Sequence, residues 1–207
     1  VPKRPDDIAV IIANSNYKKL GKDIPNVTPA YNDAENIKRY FTQALGVREG
    51  NIIYLKDATG TQMTSVFGSK EDHRGKLFNW TKKNISKVYV YYAGHGDYDE
   101  DANKTGYWLP VDATRDDPSN WVMTDYVVNQ IKAMDAKHVM VVADSCFSGE
   151  LTRGIKIDYG SPNWIKKLLD KKARVALTSG DLEPESDSGG GGKHSIFAKV
   201  FISLLEE

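Results

Sequence analysis

One cysteine in 207 residues leaves no partner for an internal disulfide and excludes a disulfide-stapled scaffold. A lone thiol suits a reducing compartment, so the expected setting is cytoplasmic. An excess of either charge is also missing: 28 Lys and Arg stand against 28 Asp and Glu. No whole-chain field therefore favours nucleic acid or a membrane surface, and neither is expected as a partner. The apolar runs are short and strand-like, too short to span a bilayer. One cysteine and four scattered histidines show no zinc-ligand spacing. No signal peptide is visible, and the chain opens on Val1-Pro2 without a methionine, reading as a piece of a longer protein. No repeat or second domain is evident. The glycines from Gly189 to Gly192 are too few for a domain linker and read as a loop, so residues 1–207 are expected to form one domain.

The chain does hold short runs of β-branched residues alternating with helical patterns. Ile8 to Ala13, Asn51 to Leu55, Lys87 to Ala93, Val139 to Ala143 and Arg174 to Thr178 read as strands. Asn32 or Asp33 is expected to cap a helix carrying Ala34, Ile37, Tyr40, Phe41 and Leu45. A helix is expected over about Thr61 to Lys83, with Gly68 and Gly75 as weak points in its continuity. Further helices are expected from Thr124 or Asp125, from Ser161-Pro162 to about Lys171, and from about Ser195 to Leu205. Tyr107 to Val111 reads as a small hairpin inside an otherwise loop-like stretch after His95. Alternating strands and helices give an α/β fold, a three-layer αβα sandwich on a mostly parallel sheet.

Two strands end in reactive side chains. The run Val139 to Ala143 stops at Asp144-Ser145-Cys146, and the run from Val88 delivers Gly94-His95-Gly96. Ligands in open α/β sheets sit beyond the carboxyl ends of strands, where an imidazole and a thiol would meet. A free thiol titrates near about 8.5, so it needs a base to become a nucleophile at neutral pH. Glycine-containing turns supply backbone donors for an oxyanion, and the N–H groups of Gly96 and Cys146 are the candidates. Taken singly, a buried cysteine is usually a small hydrophobe and a strand-end histidine a structural group. Both at strand ends, each with glycine nearby, favour chemistry.

YYAGHG followed about fifty residues later by DSCFSG resembles the caspase-type cysteine peptidases, most closely the metacaspases and their bacterial relatives. The similarity runs from IAVIIANSNY to SGDLEPESDSGGGGKHSIFA, nearly the whole chain. It departs from the caspase signature Q-A-C-[RQG]-G, having Asp144 two residues before Cys146. The resemblance implies His95 as general base and Cys146 as nucleophile. It also implies cleavage after arginine or lysine, as in metacaspases, with Asp144 in the substrate pocket. The loop after the fifth strand carries Asp181, Glu183, Glu185 and Asp187 and no arginine. Asp181 and Asp187 are therefore expected to join the pocket, since a carboxylate matches a guanidinium bidentately.

No cofactor is required by this reading. Some metacaspases are calcium-activated, which keeps Ca2+ as a possible activator through Asp99, Glu100, Asp101, Asp112, Asp116, Asp117 and Asp125. An ordinary acidic loop is the preferred reading, because Thr124-Asp125 stands where paired aspartates would be expected. Self-cleavage at Arg153 or Lys156 and a fused or partner regulatory domain are further expectations, while His73 and His138 read as structural and His194 as a loop residue. The rival readings are a catalytically silent caspase-like scaffold or sensing domain, and a receiver or nucleotide-binding domain. Against the last, ANSNYKKLG stands where a glycine-rich phosphate loop belongs.

Overall fold

The structure is a computed structural model that describes residues 3–20, 23–99, 105–145, 174–179 and 195–206. Its centre is β1 (Ile8–Ala13), every residue of which is buried. Ile8, Val10 and Ile12 face one apolar cluster while Ala9, Ile11 and Ala13 face another, so the strand needs cover on both sides. That cover comes from helices.

On one face lies α1 (Ala30–Gln43), whose Ala34, Ile37 and Phe41 pack on the sheet. The opposite face is covered by α2 (Gly60–Phe67), α3 (Lys76–Trp80) and α4 (Thr124–Ala133). Between them run β2 (Ile52–Lys56), β3 (Lys87–Ala93), β7 (His138–Asp144) and β8 (Arg174–Thr178), and α5 (Ile196–Glu206) returns to the α1 face through Phe201. All neighbouring pairs are parallel, in the order β2-β1-β3-β7-β8. The α/β sandwich expected from the alternating pattern is therefore present. Strand order reverses between β1 and β3, the switch point at which such sheets leave a crevice beyond their carboxyl ends.

A second, antiparallel sheet follows the histidine strand. It consists of β4 (Gly96–Asp99), β5 (Thr105–Trp108) and β6 (Val122–Met123). The hairpin expected at Tyr107 to Val111 is thus shifted: β5 ends at Trp108, and its first partner begins at Gly96. Trp108 stacks on Tyr92 at 4.6 Å and 9°, which fixes the insertion to the main sheet.

Two helix boundaries differ from expectation. The first helix begins at Ala30 after Pro29, not at an Asn32 or Asp33 cap. Proline's fixed φ starts the turn early, and the Asp33 side chain is turned inward, where it accepts the Ser195 N–H at 3.1 Å. The long helix expected from Thr61 to Lys83 is two short ones. Thr59 and Gln62 form a reciprocal capping box that starts α2 before Thr61, and Gly68 ends it at φ +103°. The helix expected at residues 161–171 lies outside the described residues.

Gly75 lies so close to that break that a Cβ there would sit 2.3 Å from Gly68 N and 2.5 Å from Val66 O. Both obstacles are backbone, so they cannot swing away. Gly75→Ala should therefore lower unfolding free energy by about 2–3 kcal/mol. Gly50, which has nothing within 4 Å of its would-be Cβ, is the control. Gly50→Ala should be neutral or add about 0.5 kcal/mol in the same urea titration.

Candidate active site

The carboxyl ends of β1, β3 and β7 are tied together by buried polar groups. Asn14, just past β1, donates its N–H to Ala93 O at 2.8 Å and its side-chain amide to Leu109 O at 3.1 Å, and its Oδ1 accepts the Ala58 N–H. Tyr17 is wholly buried, and its hydroxyl accepts the His95 N–H at 2.9 Å while donating to Leu109 O at 2.8 Å. The Tyr92 hydroxyl donates to His95 O at 2.6 Å and lies 3.0 Å from Leu109 O. Burial pushes the Tyr17 and Tyr92 hydroxyls well above the ordinary tyrosine value, so both stay protonated. Gly94 is demanded by this crowding, since a Cβ there would stand 2.7 Å from both tyrosine oxygens.

His95 is thereby fixed through its own backbone. Its ring lies 4.8 Å from the Tyr17 ring, and its Nε2 is 2.8 Å from Pro25 O. A carbonyl only accepts, so Nε2 carries the hydrogen and Nδ1 presents the basic lone pair of the neutral ring. Pro25 is a partner that the sequence reading missed. The group involved is a backbone carbonyl, which no side-chain pattern advertises.

What holds Pro25 in place is the turn after β1. Asp57 takes a left-handed φ of 53° after β2 and turns its carboxylate back to accept the Ser15 and Asn16 N–H groups at 3.0 and 2.9 Å. Tyr31 OH also donates to this carboxylate. Ser15 in turn accepts the Val27 N–H and donates its hydroxyl to Val27 O at 2.7 Å. One carboxylate thus shapes the loop that carries the histidine's acceptor.

Gly96 packs against Ser145, 3.3 Å separating its would-be Cβ from the serine side chain. The Leu109 N–H bonds His95 O, which makes Gly96–Trp108 a non-hydrogen-bonded pair of the β4–β5 ladder. Alternation then directs the Gly96 N–H away from β5. Cys146 lies outside the described residues, as do Asp181, Asp187, His194, Arg153 and Lys156. The pairing of β3 with β7 ends at Ala93 opposite Asp144, and the Gly94 N–H continues it to Asp144 O at 3.3 Å. In sequence, His95 and Cys146 each stand two residues past that last pair.

Asp144 is 7% exposed, and its Oδ2 accepts the Ser195 hydroxyl at 2.5 Å and lies 3.5 Å from Tyr91 OH. Asp33, 1% exposed, accepts from Ser195 N. Ser195 Oγ also caps α5 by accepting the Ala198 N–H. Burial first, then the negative field of Asp144 and Asp33, raises the Tyr91 hydroxyl far above its ordinary value. Two carboxylates therefore share one buried end of the sheet. The sequence reading found Asp144 but took Asp33 for a helix cap.

Among the described residues no cluster of three or more His, Cys, Asp or Glu is arranged to hold a metal ion. Of the carboxylates considered for calcium, Glu100 and Asp101 lie outside the described residues, Asp112 accepts the Gly60 N–H, Asp117 accepts the Ser119 N–H, and Asp125 sits in the first turn of α4. No described helix is long and apolar enough to cross a membrane.

Asp57 gives a pH test of this framework. Burial works to raise its pKa, but the N–H groups and Tyr31 OH outweigh it and hold the carboxyl below its ordinary 3.8. A depressed folded value means stabilisation that is complete above about 3.8 and is lost as pH falls through and below it. Asp57→Ala should cost about 1–2 kcal/mol at neutral pH. Urea titrations of both proteins should show that gap shrinking only below about pH 4. A gap unchanged down to acid unfolding would mean the carboxylate is not the anchor.

Compared with known families, residues 6–207 match the model of the Peptidase_C14 caspase domain. No curated protein matches the chain.

Proposed function

This chain belongs to the caspase-domain family, and from that premise we propose that it is a cysteine endopeptidase cutting after arginine or lysine. The observation that carries the proposal is the parallel register. Adjacent strands pair up to Ala93 and Asp144, and both chains continue for two residues to His95 and Cys146.

In this reading the Cys146 thiol gives its proton to His95 Nδ1, while Nε2–H keeps its bond to Pro25 O throughout. The thiolate attacks the scissile carbonyl carbon and the C=O electron pair moves onto oxygen. The Gly96 and Cys146 N–H groups are assigned to that oxyanion. Nδ1–H then protonates the leaving amine as the C–N bond breaks, leaving a thioester. Water gives a proton to Nδ1, attacks the thioester, and releases the acid and the thiol.

The basic preference is supported by Asp144 together with Asp33, two carboxylates buried at the end of β7 and on the first turn of α1. A buried carboxylate pair favours a cation and penalises an acidic side chain. Asp181 and Asp187 are retained as outer members of that pocket. The reaction needs no cofactor. The acidic loop after His95 is read as ordinary, with calcium activation left to the chelator arm of the test below, and a reducing cytoplasmic setting suits the thiol.

The test uses paired fluorogenic peptides that differ only in arginine or aspartate before the cut. Wild type and Cys146→Ala are assayed with calcium and with chelator. We expect cleavage after arginine, lost by more than about a thousandfold in Cys146→Ala. Cleavage after aspartate would leave a peptidase but remove the acidic pocket. Inertness towards both peptides, with a Cys146 thiol no more reactive to iodoacetamide than a free thiol, would favour the silent scaffold.

A further inference from the structure

Among the described residues, three buried polar side-chain atoms have no hydrogen-bond partner: Asp7 Oδ2, His138 Nδ1 and Ser179 Oγ. The first two are at the amino end of the sheet, away from the site. Ser179 is at the carboxyl end, just past β8, and is 8% exposed. A native fold rarely leaves such an oxygen without a protein partner unless it has a use for it.

Its position is set by register. The β7–β8 pairing runs to Ala143 opposite Thr178, and the Ser179 N–H goes on to bond Ala143 O at 3.0 Å. In a parallel ladder that bond makes Ser179 the neighbour of Asp144. Paired residues of adjacent strands project to the same side of a sheet, with Cβ atoms about 5 Å apart. Asp144 projects to the α1 and α5 side, where it meets Ser195. Ser179 therefore stands beside Asp144 on the face of the sheet that α1 and α5 cover.

We infer that Ser179 is a specificity residue whose Oγ accepts a hydrogen bond from the substrate's arginine side chain, so that the site prefers arginine to lysine. The inference rests on the basic pocket proposed above. A guanidinium brings five N–H donors in a plane, whereas an ammonium brings three on a rotor. The Ser195 N–H and hydroxyl already occupy one oxygen of Asp33 and one of Asp144. A guanidinium spreads its donors across a plane wider than one carboxylate meets, so an acceptor beside Asp144 serves an N–H that a compact ammonium does not present there. Leaving Ser179 Oγ unpaired in the absence of substrate keeps that acceptor ready.

The experiment is Ser179→Ala, measured on matched peptides with arginine or lysine before the cut, beside wild type and Asp144→Asn. The arginine peptide should lose about tenfold or more in kcat/KM, mostly through KM, while the lysine peptide changes by less than about threefold. Because no bond is lost in the free protein, the thermal midpoint should stay the same or rise. An arginine-to-lysine ratio within about twofold of wild type would overturn the inference, as would a midpoint several degrees lower, which marks a folding role. The underlying pocket fails differently. Wild type that ignores basic residues, or Asp144→Asn that keeps the preference, removes the pocket and Ser179 with it. An intact pocket with an unaltered Ser179→Ala ratio removes Ser179 alone.

Discussion

The Leu109 carbonyl oxygen is where three buried side chains converge: the Asn14 amide, the Tyr17 hydroxyl and the Tyr92 hydroxyl. A sheet covered by helices on both faces leaves no water at its centre, so polar groups at its carboxyl end must satisfy one another. Asn14 stands just past β1, Tyr92 comes from β3, and Leu109 from the chain just beyond β5. Meeting this one requirement joins the main sheet to the antiparallel insertion. It also leaves the His95 backbone no freedom, because its N–H and carbonyl belong to the same network. The imidazole is thus aimed by bonds that are not its own.

A second constraint acts on the same ring from outside. Pro25 O holds Nε2, but Pro25 lies in a loop, and loops are positioned poorly unless something anchors them to the scaffold. Asp57 provides the anchor by gathering successive backbone N–H groups of the turn after β1. The arrangement runs from β2 through a carboxylate to a loop and on to the His95 ring. Each step is a directional hydrogen bond, and the carboxylate's charge makes the first pair stronger than neutral bonds.

How much of this was legible follows from what kind of signal each part leaves. Strands buried on both faces leave apolar runs, and β8 was read to the residue because Arg174 and Ser179 bound it. Reactive side chains at strand ends stand out by type, which exposed His95, Cys146 and Asp144. Asp33 was misread because Asn-Asp before an apolar stripe is also how a helix starts. Only the burial of Ala30, Asp33, Ala34, Ile37 and Phe41 along one helical face shows that the helix has already begun. Pro25, Asp57 and Ser179 act through a carbonyl, a left-handed turn and a register. None of these is a property of a residue type, so no pattern of types reveals them.

The buried acidic row raises a question of cost. Asp33 and Asp144 lie in one neighbourhood with Tyr91, and each is nearly shut from solvent. Like charges so placed destabilise a folded domain unless donors surround them. Ser195 answers with its N–H on one carboxylate and its hydroxyl on the other, while its oxygen caps α5. The helix that covers this face is therefore coupled to the acids beneath it. Neutralising either carboxylate would relax the repulsion but also loosen the start of α5. A cation entering from substrate would relieve the repulsion and leave the cap intact. If this face is the substrate pocket proposed above, a matching cation gains attraction and relieves the repulsion together, which is how binding energy becomes selectivity.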